Sequence, residues 1–245
     1  MAHAWFHIQG IPPEGGAAFL PKQEARHALG ARRLRPGDSV TLFDGAGTRA
    51  TALITEHRDQ AGNLELSVEK VEVVPLPTPH IELCASLPKG DRLSTMLDMC
   101  TQAGMHAFTP LECEWSVVKS SAMRANKMER WERIVLEACK QSGRVWAPTF
   151  GRSRDPRSAT QSAMAAGRRV LIAQPGAAPL SEALSGWSEG VTMLVGPEGG
   201  FSPRELEELN DAGAVRVSLG EAILRVETAA VVGVWGIHAA VNSSP

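Results

Sequence analysis

The densest concentration of chemistry in the chain is the stretch Gly196-Pro197-Glu198-Gly199-Gly200-Phe201-Ser202-Pro203-Arg204-Glu205, which follows directly on the apolar run Val191-Thr192-Met193-Leu194-Val195. A short apolar run ended by glycine reads as a buried strand. Ser202 has the features of a helix N-cap, with Pro203 at the first helical position and Glu205 three residues after the cap, a capping box. The glycines before it let the backbone approach a ligand closely, and the amides of the helix start are free to bind one. The GK[ST] ending of a Walker loop is absent, so nucleotide triphosphate binding of that kind is not implied. Taken alone, the stretch is equally consistent with a tight strand-to-helix turn carrying a surface Glu198.

A second stretch follows closely. The strand-like Ala214 to Ser218 runs into Leu219-Gly220-Glu221-Ala222-Ile223-Leu224-Arg225-Val226-Glu227-Thr228. Apolar residues on a glycine-containing loop suit a flat, adenine-like ligand packed between them.

These loops need a frame, and the chain predicts one in two parts. Pro75, Pro77 and Pro79 mark a linker over 75–79 between residues 1–74 and 80–245. Upstream, Val40 to Phe43, Asp44-Gly45-Ala46-Gly47 and Arg49 to Thr55 read as a β-hairpin. With a helix over Glu24 to Arg33 and a strand over Leu64 to Val74, they make a small, mostly β domain. Downstream, strands over Ile81 to Leu87, Ala107 to Leu111, Arg169 to Ala173, Val191 to Val195 and Ala214 to Ser218 alternate with helical patterns over Asp91 to Ala103 and Met123 to Gln141. Such alternation predicts an α/β domain with a parallel sheet, whose ligands bind at the carboxyl ends of the strands.

Composition agrees with a globular protein: 245 residues, 43% hydrophobic and 21% charged. The longest weakly polar stretch, Thr228 to Val241, is short for a membrane span. No charged segment followed by an apolar one opens the chain, so the expected residence is the cytoplasm. Cys84, Cys100, Cys113 and Cys139 form no CxxC pair, which argues for buried reduced thiols and against structural zinc or any other metal site. The net charge of −2 hides an asymmetry. Lys22, Arg26, Arg32, Arg33 and Arg35 cluster early and six arginines lie between Arg144 and Arg169, whereas Glu182 to Glu227 carries nine acids against three arginines. Clustered arginines suit phosphate contacts, or simply a solvated surface.

LVGPEGGFSPRELEEL followed by VSLGEAILRVETAA closely resembles the RsmE family, the 16S rRNA uracil-N3 methyltransferases of the SPOUT superfamily. Leu87-Pro88-Lys89-Gly90-Asp91 resembles its KGD segment, and Glu137 to Arg144 its EAxxQSGR helix end. His27, Arg33-Leu34-Arg35-Pro36-Gly37-Asp38 and Phe43-Asp44-Gly45 match its PUA-like domain, so the likeness spans nearly the whole chain. It implies an N-terminal PUA-like β-barrel that binds RNA and a SPOUT methyltransferase domain with a deep trefoil knot, working as a homodimer on 16S rRNA of the small ribosomal subunit. It further implies S-adenosylmethionine held by three loops. Carried over by position, these are Ile172, Ala173 and Gln174; Val195, Gly196, Pro197, Glu198, Gly199 and Gly200; and Ser218, Leu219, Gly220, Ile223, Leu224 and Arg225. The chain departs from the family at Ser94, Met99 and Gln102 in the helix after KGD and at Trp115, where an arginine often stands. An arginine usual near the N-terminus is missing from Ala4-Trp5-Phe6.

For methylation of uracil N3 the chain must remove the N3 proton, stabilise charge and align the nitrogen with the methyl group. Glu198 is the expected base, or orients the uracil, and Arg225 the stabiliser of charge on its oxygens. Glu227 does either job, holds Arg225, or is a carboxylate favoured at a helix N-terminus. Arg26, Arg32, Arg33, Lys119, Arg144 and Arg152 are expected on phosphates, with Gln141 and Ser142 lining the site. Trp131 and Trp146 either stack on bases or fill cores; Trp235 and the run Ala229 to Val241 fill a core or cover a two-fold interface. Alternatives are a SPOUT enzyme acting on a ribose 2′-oxygen or guanine N1, and a non-catalytic RNA-binding paralogue, which needs no cofactor loops. A dehydrogenase would carry GxGxxG after its first strand, and none is present.

Overall fold

The computed structural model describes residues 4–118 and 125–242. By internal contacts the chain divides into two units: the residues up to Leu76 together with Leu136–Ala147, and Pro77–Val135 together with the residues from Pro148 onward. The break after Leu76 falls among the prolines. The segment Leu136–Ala147, which chain order alone assigns to the second unit, packs with the first because Cys139, Val145 and Trp146 share a small core with Phe43.

In the first unit, strands β1 (Ala4–His7), β2 (Gly16–Leu20), β3 (Ser39–Phe43), β4 (Thr48–Arg58) and β5 (Leu64–Val73) form one sheet in the order β1-β3-β4-β5-β2. Only β1 and β3 pair in parallel. Period-two alternation sends Ala50, Ala52 and Ile54 of β4 and Leu64, Leu66 and Val68 of β5 into a core with Phe6, Leu20 and Leu42. Helix α1 (Lys22–Arg26) runs on as a π-turn over His27–Ala31. The hairpin turn between β3 and β4 is held by Asp44, whose Oδ1 accepts the Ala46 and Thr48 amides at 2.7 and 2.9 Å. Gly47, at φ +104°, lies under the Trp146 indole, whose Nε1 donates to the Val74 carbonyl at 3.0 Å. Trp146 is therefore a packing residue.

The second unit carries β6 (Ile81–Ser86), α2 (Arg92–Gln102), β7 (Ala107–Leu111), α3 (Ala125–Ser142), β8 (Thr149–Phe150), α4 (Pro156–Ala165), β9 (Arg169–Ala173), α5 (Leu180–Ala183), β10 (Val191–Val195), α6 (Pro203–Asp211), β11 (Val215–Val217) and α7 (Val226–Asn242), though α3 ends in the first unit. Its six strands are all parallel, in the order β11-β9-β10-β6-β7-β8. Every residue of β10 is buried, as a strand covered on both faces requires. Alternate residues feed two cores. Leu171 and Met193 join Met96, Leu97, Val234 and Ile237 on one face; Val170, Ile172 and Leu194 join Ala159, Ala163 and Leu209 on the other. Trp131, 4% exposed, packs edge-on against Phe108 and so is also core.

One charged pair sits in this apolar frame. Arg168 donates to Glu82, whose carboxylate also accepts the hydroxyls of Thr109 at 2.8 Å and Thr192 at 3.3 Å, so the part-buried carboxylate is well partnered. The four thiols are buried, and burial pushes Cys113 up to about 12 and Cys139 up to about 11. Among the described residues no helix is long and apolar enough to cross a membrane, and no cluster of three or more His, Cys, Asp or Glu side chains could hold a metal ion.

A methyl group built on Gly47 would lie 2.3 Å from the Trp146 ring and on a left-handed backbone. Gly47→Ala is expected to lower stability by ~2–3 kcal/mol, read as a drop in the urea midpoint.

Candidate functional site

Because β9, β10 and β11 are neighbours and parallel, their carboxyl ends open on one edge of the sheet. The loops that follow enclose a pocket of about 270 Å³. Ala173, Gln174 and Pro175 supply the first wall, Val195 to Phe201 the second, and Leu219, Gly220, Ala222, Ile223 and Leu224 the third. Val226 and Ala229 at the start of α7 complete it. Apolar walls with backbone polar groups on a turn suit an aromatic ligand that also needs hydrogen bonds.

The second wall is built tightly. The Gly200 amide donates to the Pro197 carbonyl at 2.8 Å, and at Gly196 a Cβ would come within 3.1 Å of the Phe201 ring and 3.2 Å of the Gly200 backbone, so the turn leaves little room for a side chain there. Ser202 caps α6, accepting the Glu205 amide at 3.2 Å, and Glu205 returns a carboxylate oxygen to the Ser202 amide at 2.8 Å. The other Glu205 oxygen accepts the Glu114 amide at 2.8 Å. One buried carboxylate thus ties the turn after β10 to the segment after β7.

Most residues expected in the three loops line the pocket; Ile172, Ser218 and Arg225 do not. Ile172 is fully buried in the core with Leu194 and Phe201. Ser218 shapes its loop instead, its hydroxyl donating to the Gly220 carbonyl at 2.9 Å. Arg225 is exposed, and its carbonyl accepts the Ala229 amide at 2.8 Å in the first turn of α7. Pro175, Phe201, Ala222, Val226 and Ala229 line the pocket without having been singled out as cofactor contacts; all but Pro175 lie inside the two matched motifs, and Pro175 follows the first loop by one residue.

The most informative omission is Arg92. From the first turn of α2 its guanidinium reaches Glu198 Oε1 at 3.4 Å and Glu227 Oε1 at 3.6 Å, while its Nε donates to the Lys89 carbonyl at 3.0 Å. The Glu227 carboxylate is thus paired with Arg92, where the sequence suggested Arg225. Glu227 is the more enclosed carboxylate, its side chain 16% exposed against 41% for Glu198. Its Oε2 is buried with no hydrogen-bond partner among the described residues, an acceptor left for a ligand or substrate group. Arg92 was hidden by its place: it follows the Lys89-Gly90-Asp91 motif by one residue.

The departures in α2 have ordinary partners. Ser94 accepts from Arg130 at 3.1 Å and Gln102 donates to Asp98 at 3.1 Å, while Met99 is exposed. Of the residues expected on phosphates, Arg26, Arg32 and Arg33 are exposed in the first unit and Arg152 is exposed in the second; Lys119 lies outside the described residues. Arg144 is half-buried and Gln141 exposed, while Ser142 donates to the Ala138 carbonyl at 2.7 Å. Arg168 and Arg169 serve the fold: the first pairs with Glu82, and the second lies 4.4 Å over the Trp187 ring and donates to the Ala183 carbonyl.

Comparison with known proteins decides the family. The pattern described as an RNA methyltransferase domain matches residues 74–236, and that described as an RNA methyltransferase PUA domain matches residues 20–61. A protein of Mycobacterium bovis named ribosomal RNA small subunit methyltransferase E is 34% identical over 95% of this chain and 90% of its own length. The chain belongs to the ribosomal RNA small subunit methyltransferase E family. The Synechocystis protein of the same name is 33% identical over 86% of this chain and 69% of its own length. The Neisseria gonorrhoeae protein of that name, solved bound to S-adenosyl methionine, superposes with a TM-score of 0.84 at 28% identity, covering 97% of this chain and 98% of that one. The longer matched span holds every pocket residue, Arg92, Glu198 and Glu227; the shorter holds Arg26, Arg32 and Arg33.

The double role of Glu205 orders two losses of stability. Ser202→Ala is expected to cost about 1 kcal/mol as a lost cap. Glu205→Ala should cost about twice that, since it also strands the Glu114 amide. Urea unfolding of both variants checks the order.

Proposed function

We propose that the chain transfers a methyl group from S-adenosylmethionine to N3 of one uridine in the 16S rRNA of the small ribosomal subunit. The observation that carries this reading is the convergence of the three-loop pocket with two carboxylates and one guanidinium, in a chain a third identical to proteins named for this activity.

The pocket fits the cofactor. Its walls offer apolar surface from Val195, Leu219, Ile223 and Leu224 to a flat base, and the Gly196–Gly200 turn brings backbone close enough for hydrogen bonds. S-adenosylmethionine supplies, when bound, an electrophilic methyl on a sulfonium sulfur. What remains is work for the chain's own side chains. Uracil N3 carries a proton and has no usable lone pair until it leaves, so a carboxylate at the pocket rim takes that proton, and Glu198 is placed and exposed for it. With the proton gone, N3 would hold the lone pair that the cofactor, when bound, would methylate. Negative charge that builds on the uracil oxygens is met by Arg225, with Arg92 bridging Glu198 and Glu227. The buried Glu227 Oε2 orients the substrate or cofactor by accepting one of its donors.

Residues 1–74 act as the RNA-holding domain through Arg26, Arg32 and Arg33, with Gln141, Arg144, Arg152 and Lys119 on neighbouring phosphates. We further infer a trefoil knot, a reading supported by the return of α7, next in the chain after edge strand β11, onto β10 and β6. A homodimer built on α7 is supported by Trp235, 63% exposed on an otherwise apolar helix. The cytoplasm, where ribosomal subunits are made, is the matching residence.

Tritiated-methyl transfer to small subunits from a strain lacking its own enzyme is expected to label N3 of a single uridine; label on a ribose or a guanine would replace the proposed target atom. Glu198→Gln should lower kcat by roughly 10²–10⁴-fold with cofactor affinity within about twofold by calorimetry. Near-normal turnover would remove Glu198 from the role of base. The Arg32→Glu, Arg33→Glu double variant is expected to flatten the dependence of log Kd on log salt by about 1–2 units, since two phosphate contacts are lost. An unchanged slope would place the RNA elsewhere.

A further inference from the structure

We propose that Trp115 is the stacking platform for the uracil presented to Glu198. This rests on the methyl-transfer reading above and goes beyond it by assigning a positioning residue.

Trp115 is 45% exposed, an aromatic side chain that the core does not use. It lies on the rim of the pocket, because a Cβ on Gly199 would be 3.4 Å from its Cε3, which seats the indole directly on the backbone next to Glu198. The segment that carries it is pinned at three points. Ser116 Oγ accepts the Cys113 amide at 3.0 Å and lies 3.1 Å from Ser86 Oγ at the end of β6, and the Glu114 amide is bound to Glu205. Ser86 belongs to the strand paired with β10, whose last residue, Val195, opens the Gly196–Gly200 turn. The ring therefore lies against Gly199, and the segment that carries it is held in register with the proton acceptor by hydrogen bonds on both flanks.

A pyrimidine reached inside RNA must be taken out of its stack, and the lost stacking has to be replaced for the base to stay out. An exposed indole beside the carboxylate offers a π face to any base and fixes the plane in which N3 meets Glu198.

Two measurements test the assignment. Small-subunit RNA transcribed with 5-iodouridine is crosslinked to the native protein by long-wavelength light and the adducts mapped by mass spectrometry. A crosslink on Trp115 is expected. Adducts confined to other residues, or none, overturn the proposal. This readout needs no turnover, so a protein that crosslinks at Trp115 yet transfers no methyl group would sink the methyl-transfer reading while leaving the stacking intact. In the second, Trp115→Phe is expected to keep kcat/KM for small subunits within about threefold, and Trp115→Leu to lose roughly 10–100-fold, with cofactor affinity and melting temperature unchanged in both. A Leu variant as active as the native protein, or one whose loss follows weakened cofactor binding, overturns the platform and leaves Trp115 as support for the turn.

Discussion

The parallel pairing of β10 with β9 on one side and β6 on the other is the constraint from which the site follows. Five buried residues in β10, in register from Val191–Ile81 to Val195–Ala85, leave no freedom in where the strand ends. A parallel ladder points every strand the same way, so the segments leaving β6, β7, β9, β10 and β11 all emerge on one edge. Everything chemical in the second unit sits on that edge: Arg92 after β6, Trp115 after β7, and the pocket loops after β9, β10 and β11. A slip of one residue in β10 would exchange Leu194 and Met193 between the two cores and carry Glu198 away from Arg92.

The second requirement is that loops on such an edge hold their shape with few residues. The chain solves it with local hydrogen bonds placed at the start of helices. Ser202 and Glu205 close α6 against the turn, Asp155 does the same for α4 by accepting the Ser158 amide at 2.9 Å, and Ser218 folds its own loop through Gly220. Glu205 is unusual in serving two segments at once, and it is buried, which makes each of its bonds stronger than an exposed equivalent. The hydrogen bonds of one capping carboxylate thus connect strand ends that are far apart in sequence.

How much of this was legible depended on the range of the signal. The capping box at Ser202 and Glu205, the hairpin turn around Asp44 to Gly47 and the apolar run of β10 are written in adjacent residues, and the structure has all of them. Contacts between distant segments were not. Nothing near Arg92 says that it meets carboxylates 106 and 135 positions later, and nothing near Glu205 says that it binds the Glu114 amide. Charge counting failed for a related reason. The arginines from 144 to 169 look like one basic strip, yet Arg168 is consumed by Glu82 and Arg169 by Trp187 and a carbonyl. Helix α4 and the two-residue β8 were also missed: α4 has only a modest apolar stripe, and a strand as short as Thr149–Phe150 exists by pairing with β7 and has no propensity signal of its own.

On the proposed reading, the pairing of Arg92 with two carboxylates answers a demand of proton removal at N3, that the acceptor be held at the pocket rim without being buried. Two carboxylates near one another repel, and a cation placed between them offsets that repulsion. Arg92 fills that place without capturing either acid, since its distances of 3.4 and 3.6 Å are those of loose pairs and Glu198 stays 41% exposed. A tight bidentate pair would lock the carboxylate in one geometry. The third guanidinium bond, to the Lys89 carbonyl, anchors the arginine to its own helix start, so neither acid has to hold it in place. Placed this way, the cation leaves Glu198 room to turn, while the enclosed Glu227 keeps one buried oxygen for which the described residues provide no donor.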